Sequence, residues 1–130
     1  MNILHLLSWC PNPDDPTLGN FCIRQINALP QVCSSVILSV YADPNLTQSF
    51  KVMREDTEHY TMIRIHFAPP KNNLLRKFKI LHLYQYGLRY VKKHCFAPDL
   101  IHLHVAHPLG QVALLWHKCH RYPYILTLFI

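Results

Sequence analysis

His104 closes the apolar run Asp99-Leu100-Ile101-His102-Leu103-His104, and Gly19-Asn20 follows a Pro-rich loop that leaves the run Ile3 to Ser8. A histidine at the carboxyl end of a buried strand is delivered into whatever crevice the neighbouring loops enclose. Near neutral pH its ring gives or takes a hydrogen bond, which suits a sugar hydroxyl or a phosphate oxygen. A glycine just before a helix lets a ligand approach backbone amides where the helix dipole favours negative charge. In a doubly wound sheet the two loops converge on one crevice, which would gather Gly19, Asn20, His104, His107 and Gly110. Gly19 serves equally well as a structural turn glycine. The Gly-x-Gly-x-x-Gly fingerprint is absent, which counts against a dinucleotide-dependent dehydrogenase.

Other chemistries fare worse. His102, His104 and His107, with His117, Cys119 and His120 further on, invite a metal centre. The spacing offers neither Cys-x-x-Cys nor His-Glu-x-x-His, so no metal is expected. His5, inside the first apolar run, reads as a packed neutral side chain. His102 and His104 alternate onto one sheet face, which predicts His102 in the core and His104 at the rim. No Gly-x-Ser-x-Gly elbow supports a serine hydrolase, and acidic residues are too scarce for a glycosidase pair.

The net charge of +6 is unevenly spread. Between His59 and Pro98 there is no Asp or Glu, while Lys71, Arg76, Lys77, Lys79, Arg89, Lys92 and Lys93 fall in that stretch. Such a surface attracts phosphates or anionic headgroups, and it also reads simply as a solvated helix face. Tyr84, Tyr86 and Tyr90 at that spacing are helix-packing groups more readily than a base-stacking platform, and no nucleic-acid recognition module accompanies them. Arg76, Lys77 and Lys79 are the candidates for contact with an acceptor or an anionic membrane.

The elements that must position these residues follow from hydrophobic period and punctuation. Ile3 to Ser8 reads as a strand buried on both faces. A helix runs from Gly19-Asn20 to about Leu29 and stops at Pro30. Val36 to Tyr41 is a β-branched strand ended by Asp43-Pro44-Asn45. Tyr60 to Phe67 alternates as a strand at or near the sheet edge. The longest helix spans Asn72 to Cys95, with Gly87 marking a break or a close contact. A strand to His104, a helix from Leu109 to His120 and a strand from Tyr124 to Leu128 complete the order. Short connections favour right-handed crossovers, giving an α/β, three-layer, Rossmann-like domain over residues 1–130 with a mostly parallel, doubly wound sheet. The first strand is expected beside the strand that ends at His104.

At 130 residues and 50% hydrophobic content the composition is that of one globular domain. Five widely spaced cysteines imply no disulfide framework, and the amino terminus lacks a cationic lead-in, so a cytoplasmic setting is expected. No apolar stretch approaches the roughly 20 residues of a spanning helix, which limits any membrane contact to the periphery of the inner face. The apolar carboxyl-terminal strand predicts self-association.

Leu6 to Pro13, Gly19-Asn20-Phe21 and Arg24-Gln25-Ile26 resemble the start of family 4-type glycosyltransferases of the GT-B fold. Pro98 to His104 with Pro108 and Gly110, and Pro123 to Thr127, continue the resemblance in order over nearly the whole chain. It implies the N-terminal, acceptor-side domain of a retaining transferase that moves a sugar from a nucleotide-sugar donor to a glycan or lipid-linked acceptor, with no covalently bound cofactor. It also implies that Gly19 and Asn20 face the donor phosphates and that His104 faces the transferred sugar. The chain departs from the family pattern at Leu128-Phe129-Ile130, and no C-terminal half with the acidic motif follows, so the fragment is expected to be inactive alone. The alternative is a non-catalytic binding or scaffold domain that uses the open cleft and the basic helix.

Overall fold

The computed structural model describes residues 1–7, 20–104 and 110–126, with backbone alone at 20, 21, 110–113 and 115. Strand β1 (Asn2–Leu6) is followed by helix α1 (Asn20–Asn27), strands β2 (Ser34–Ala42), β3 (Phe50–Asp56) and β4 (Thr61–Phe67), and helix α2 (Asn73–His94). Strand β5 (Leu100–Leu103), helix α3 (Gly110–His120) and strand β6 (Tyr124–Leu126) complete the order. They form one sheet in the order β3-β4-β2-β1-β5-β6, parallel throughout except that β3 runs antiparallel to β4. This is the expected α/β, Rossmann-like architecture. The expected neighbours do pair: β1 lies between β2 and β5, with His5 level with Ile37 on one side and His102 on the other.

The chain leaves β1 in both directions, and the right-handed crossover rule then puts successive helices on opposite faces. Leu4, Leu6, Val36, Leu38, Ile63, Ile65, Ile101 and Leu103 point to the α2 and α3 side, where Leu83, Tyr84, Leu88, Val91 and Trp116 pack on them. On the other face Cys22 and Ile26 of α1 pack on Leu7, Ile37 and Met62. The α1 face also holds the buried polar residues His5, Ser35, Ser39, His66 and His104. One face of the sheet is therefore an apolar core and the other is threaded with hydrogen-bonding groups.

Helix α2 forms as expected. Asn72 caps it, its Oδ1 accepting from the backbone N–H of Leu74 at 2.8 Å and of Leu75 at 3.4 Å. The helix does not break at Gly87; it approaches the sheet there. A Cβ on Gly87 would lie 2.6 Å from Leu38 Cδ1, so the missing side chain sets the distance between α2 and β2.

Strand β3 was not expected. Its side chains are mostly exposed, and only Phe50 and Val52 pack towards the core, so it carries little of the hydrophobic pattern that marks a strand. It covers β4, which sits one place in from the edge. Arg54 pairs with Asp56 at 3.2 Å and Arg64 with Glu55 at 3.6 Å, a charged margin that discourages further strand pairing. At the opposite margin β6 leaves Tyr124, Ile125 and Leu126 exposed.

The four cysteines among the described residues, Cys22, Cys33, Cys95 and Cys119, form no disulfide with one another. No helix among the described residues is long and apolar enough to cross a membrane.

Candidate functional site

Because β1 and β5 are parallel neighbours, residues two apart along each strand stand side by side on the α1 face. His5 of β1 and His102 of β5 are level in register, and their ring centroids lie 5.2 Å apart. His104 follows the last β5 residue, and its backbone N–H donates to Leu6 O at 3.3 Å. That bond holds His104 against β1 and turns its ring inward: its centroid lies 4.0 Å from His102 and 5.1 Å from His5.

The contact between His5 Nδ1 and His104 Nε2 is 2.9 Å, and His5 Nε2 lies 3.1 Å from Ser35 Oγ on β2. A chain of hydrogen bonds thus crosses three strands, from Ser35 through His5 to His104. It ends at His104 Nδ1, which is buried and without a partner among the described residues. The direction of the Ser35 hydroxyl propagates along the chain. If Ser35 Oγ–H donates, His5 Nδ1–H donates to His104 Nε2 and His104 carries its proton on Nδ1. If Ser35 accepts, His104 Nε2–H donates to His5 and Nδ1 presents a lone pair. One hydroxyl rotation therefore decides whether His104 Nδ1 gives or receives the next hydrogen bond.

The rings are held uncharged. Burial, followed by the nearby rings of His104 and His102, pushes the His5 pKa down to about 2. Burial and then His102 push His104 down to about 3, and burial lowers His102.

The expected division of labour between His102 and His104 is reversed. His104 is fully buried and His102 is the partly exposed one. The reason is the narrow outer margin of the sheet. Helix α1 packs on the β1, β2 and β4 side, and the strand next to His102 on its outer flank is the three-residue β6, where its register partner Ile125 is 47% exposed. His5 is packed and neutral as expected, and it is also part of the site, which sequence reasoning missed. The signal was available in the His5/His102 register once β1 and β5 were paired. Ser35, a serine at a strand entrance, carried none.

Of the other expected site residues, Gly19 and His107 lie outside the described residues. Asn20 is the first residue of α1, and Gly110 the first of α3. Each helix follows the carboxyl end of a parallel strand, so α1, α2 and α3 all begin at the end of the sheet where His104 stands. None of the three has an acidic residue in its first turn. The first turns themselves thus bring no carboxylate against the partial positive charge of the helix starts, an arrangement that suits an anion.

Arg76, Lys77 and Lys79 lie in the first two turns of α2, at that same end. They do not act alike. Lys79 Nζ donates to Ser49 Oγ at 3.2 Å and Ala68 O at 3.4 Å, and Arg76 Nη2 reaches Pro70 O at 3.5 Å, whereas Lys77 is exposed. Beside Lys77, Leu74, Leu75 and Phe78 are 60%, 57% and 59% exposed. A groove of about 230 Å³ between the end of α1 and the β3–β4 turn, lined in part by Ser35, Cys33, Glu58 and His59, lies at the opposite end of the sheet from His104.

No protein-family profile matches the sequence, and no curated protein does. Among solved structures, sucrose-phosphate synthase from Thermosynechococcus elongatus matches with a TM-score of 0.58 at 16% identity over 97% of this chain. The matched part is 32% of that enzyme, so the chain spans about a third of its length. The likeness is one of fold: both contain this α/β, Rossmann-like arrangement.

Proposed function

We propose that this chain is a sugar-transferase domain of the acceptor-side kind, related to family 4 enzymes, which works with a nucleotide-binding domain to pass a sugar from a nucleotide-sugar donor to a glycan or lipid-linked acceptor. The observation that carries the reading is the Nδ1 of His104, buried and without a partner among the described residues, at the carboxyl end of β5 and beside β1. The likeness in fold to sucrose-phosphate synthase supports it. His104 would meet a hydroxyl of the transferred sugar. Its Nδ1 can give or receive, and a hydroxyl can do either in return. Gly19 and Asn20 would offer backbone N–H groups to the donor phosphates at the start of α1. A neutral ring suits this task, because it orients the sugar without pairing with the phosphates.

Transfer needs donor and acceptor in near-attack geometry. A domain that spans about a third of its structural neighbour would supply one wall of that cleft. The exposed Leu74, Leu75 and Phe78 beside Lys77 suit a lipid-linked acceptor, since apolar groups and a cation together bind an anionic bilayer surface.

The test is sugar transfer by this chain combined with a separate C-terminal transferase half, comparing the natural sequence with His104→Ala. Transfer that falls at least about 100-fold in the variant supports the role. Unchanged transfer removes His104 from the site.

A further inference from the structure

We propose that His5, His102 and His104 form a binding site for one divalent cation of the zinc class. The site goes beyond the sugar-transfer reading and does not depend on it. One ligand atom from each of the three rings lies within 4.8 Å of the other two. His5 and His104 already aim Nδ1 and Nε2 at each other at 2.9 Å. Two imidazoles on a tetrahedral zinc, at 2.0 to 2.1 Å each, stand about 3.3 Å apart, so replacing the shared proton by a metal asks for a small opening of this pair. His102 closes the third corner from the half-exposed side, which gives the ion its way in.

The surroundings match what metal-bound histidine needs. His5 Nε2 lies 3.1 Å from Ser35 Oγ, the outer hydrogen bond that fixes a ligating ring in one tautomer. Three imidazoles are a ligand set that borderline cations accept and that Mg²⁺ and Ca²⁺ decline. The spacing that spoke against a metal concerned residues along one segment. Here the ligands come from two strands, paired by a register that no local motif records.

Metal binding would also set the hydrogen-bond chain. With His5 Nδ1 and His104 Nε2 on the ion, His5 Nε2–H must donate to Ser35 and His104 must carry its remaining proton on Nδ1. The orphaned atom becomes a fixed donor.

The experiment is titration of the full chain with Zn²⁺ against a chromophoric chelator, and with Co²⁺ followed by its visible spectrum. One equivalent should bind in the micromolar range or tighter, without the near-ultraviolet thiolate charge-transfer band of a cysteine site. His102→Ala should weaken binding at least about tenfold, while His117→Ala/His120→Ala should change it by less than about twofold. In the unaltered chain, substoichiometric Zn²⁺ should shift the ring nitrogens of His5, His102 and His104 in the NMR spectrum, a readout that needs no variant to fold. No saturable binding below about 100 µM overturns the proposal. So does binding indifferent to His102→Ala in a folded variant, a thiolate band, or shifts confined to other histidines.

Discussion

His5 and His104 are 99 residues apart in sequence and share a hydrogen bond of 2.9 Å in the interior. Both rings are fully buried and uncharged, whereas in the unfolded chain each titrates near the ordinary 6.5. Below pH 6.5 the unfolded state therefore binds more protons. Stability is fully present above that pH and falls as the pH drops, down through the folded-state values of about 3 and 2. The pair should lose about 2 kcal/mol between pH 6.5 and about pH 5.5, and more steeply below. Urea unfolding across this range measures it. His5→Gln should remove about half of the slope, and a flat profile would contradict two rings buried in the neutral form.

Gly87 and Leu38 predict a sign reversal. Gly87→Ala gains about 1 kcal/mol of helix propensity but drives a methyl group into the fully buried Leu38 side chain, which overpacking makes worse by about 1 to 3 kcal/mol. The single substitution should lower stability. In a Leu38→Ala background the same change should raise it by about 1 kcal/mol, and thermal unfolding of the four proteins in the cycle decides the matter.

Asn72→Ala should lower stability by about 1 kcal/mol, because Leu74 and Leu75 lose the oxygen that satisfies their backbone N–H groups. Asn72→Asp should retain the cap. Denaturant midpoints distinguish the two.

The α2 start gives a membrane prediction. Co-sedimentation with vesicles containing anionic lipid should fall about tenfold or more in Leu75→Ser/Phe78→Ser, since each side chain buries apolar area worth about 1.5 to 3 kcal/mol. Lys77→Glu should weaken binding only to anionic vesicles. Arg76 and Lys79 substitutions should matter less, because their cations are already turned onto Pro70, Ser49 and Ala68.

Much of this was legible in sequence because it is local or topological. The period of α2, its Asn72 start and the pairing of β1 with β5 follow from spacing, punctuation and the crossover rule. What escaped has a common cause. Strand β3 is held by pairing with β4 and not by burial, so its residues carry no apolar rhythm. The exposure of His102 and the burial of His104 depend on tertiary packing around β5, which the alternation along the strand does not encode. Ser35 joins the site only because β2 flanks β1, and a serine announces nothing until its neighbour across the sheet is known.

The two margins of the sheet have opposite social characters. Arg54, Glu55 and Asp56 guard β3 with charges of both signs, while β6 offers Tyr124, Ile125 and Leu126 without a single ionised side chain. A visiting strand, whether from another molecule or another part of an assembly, is turned away on one flank and welcomed on the other. A strand added to this sheet would find apolar neighbours on the β6 flank, next to the strand that carries His102.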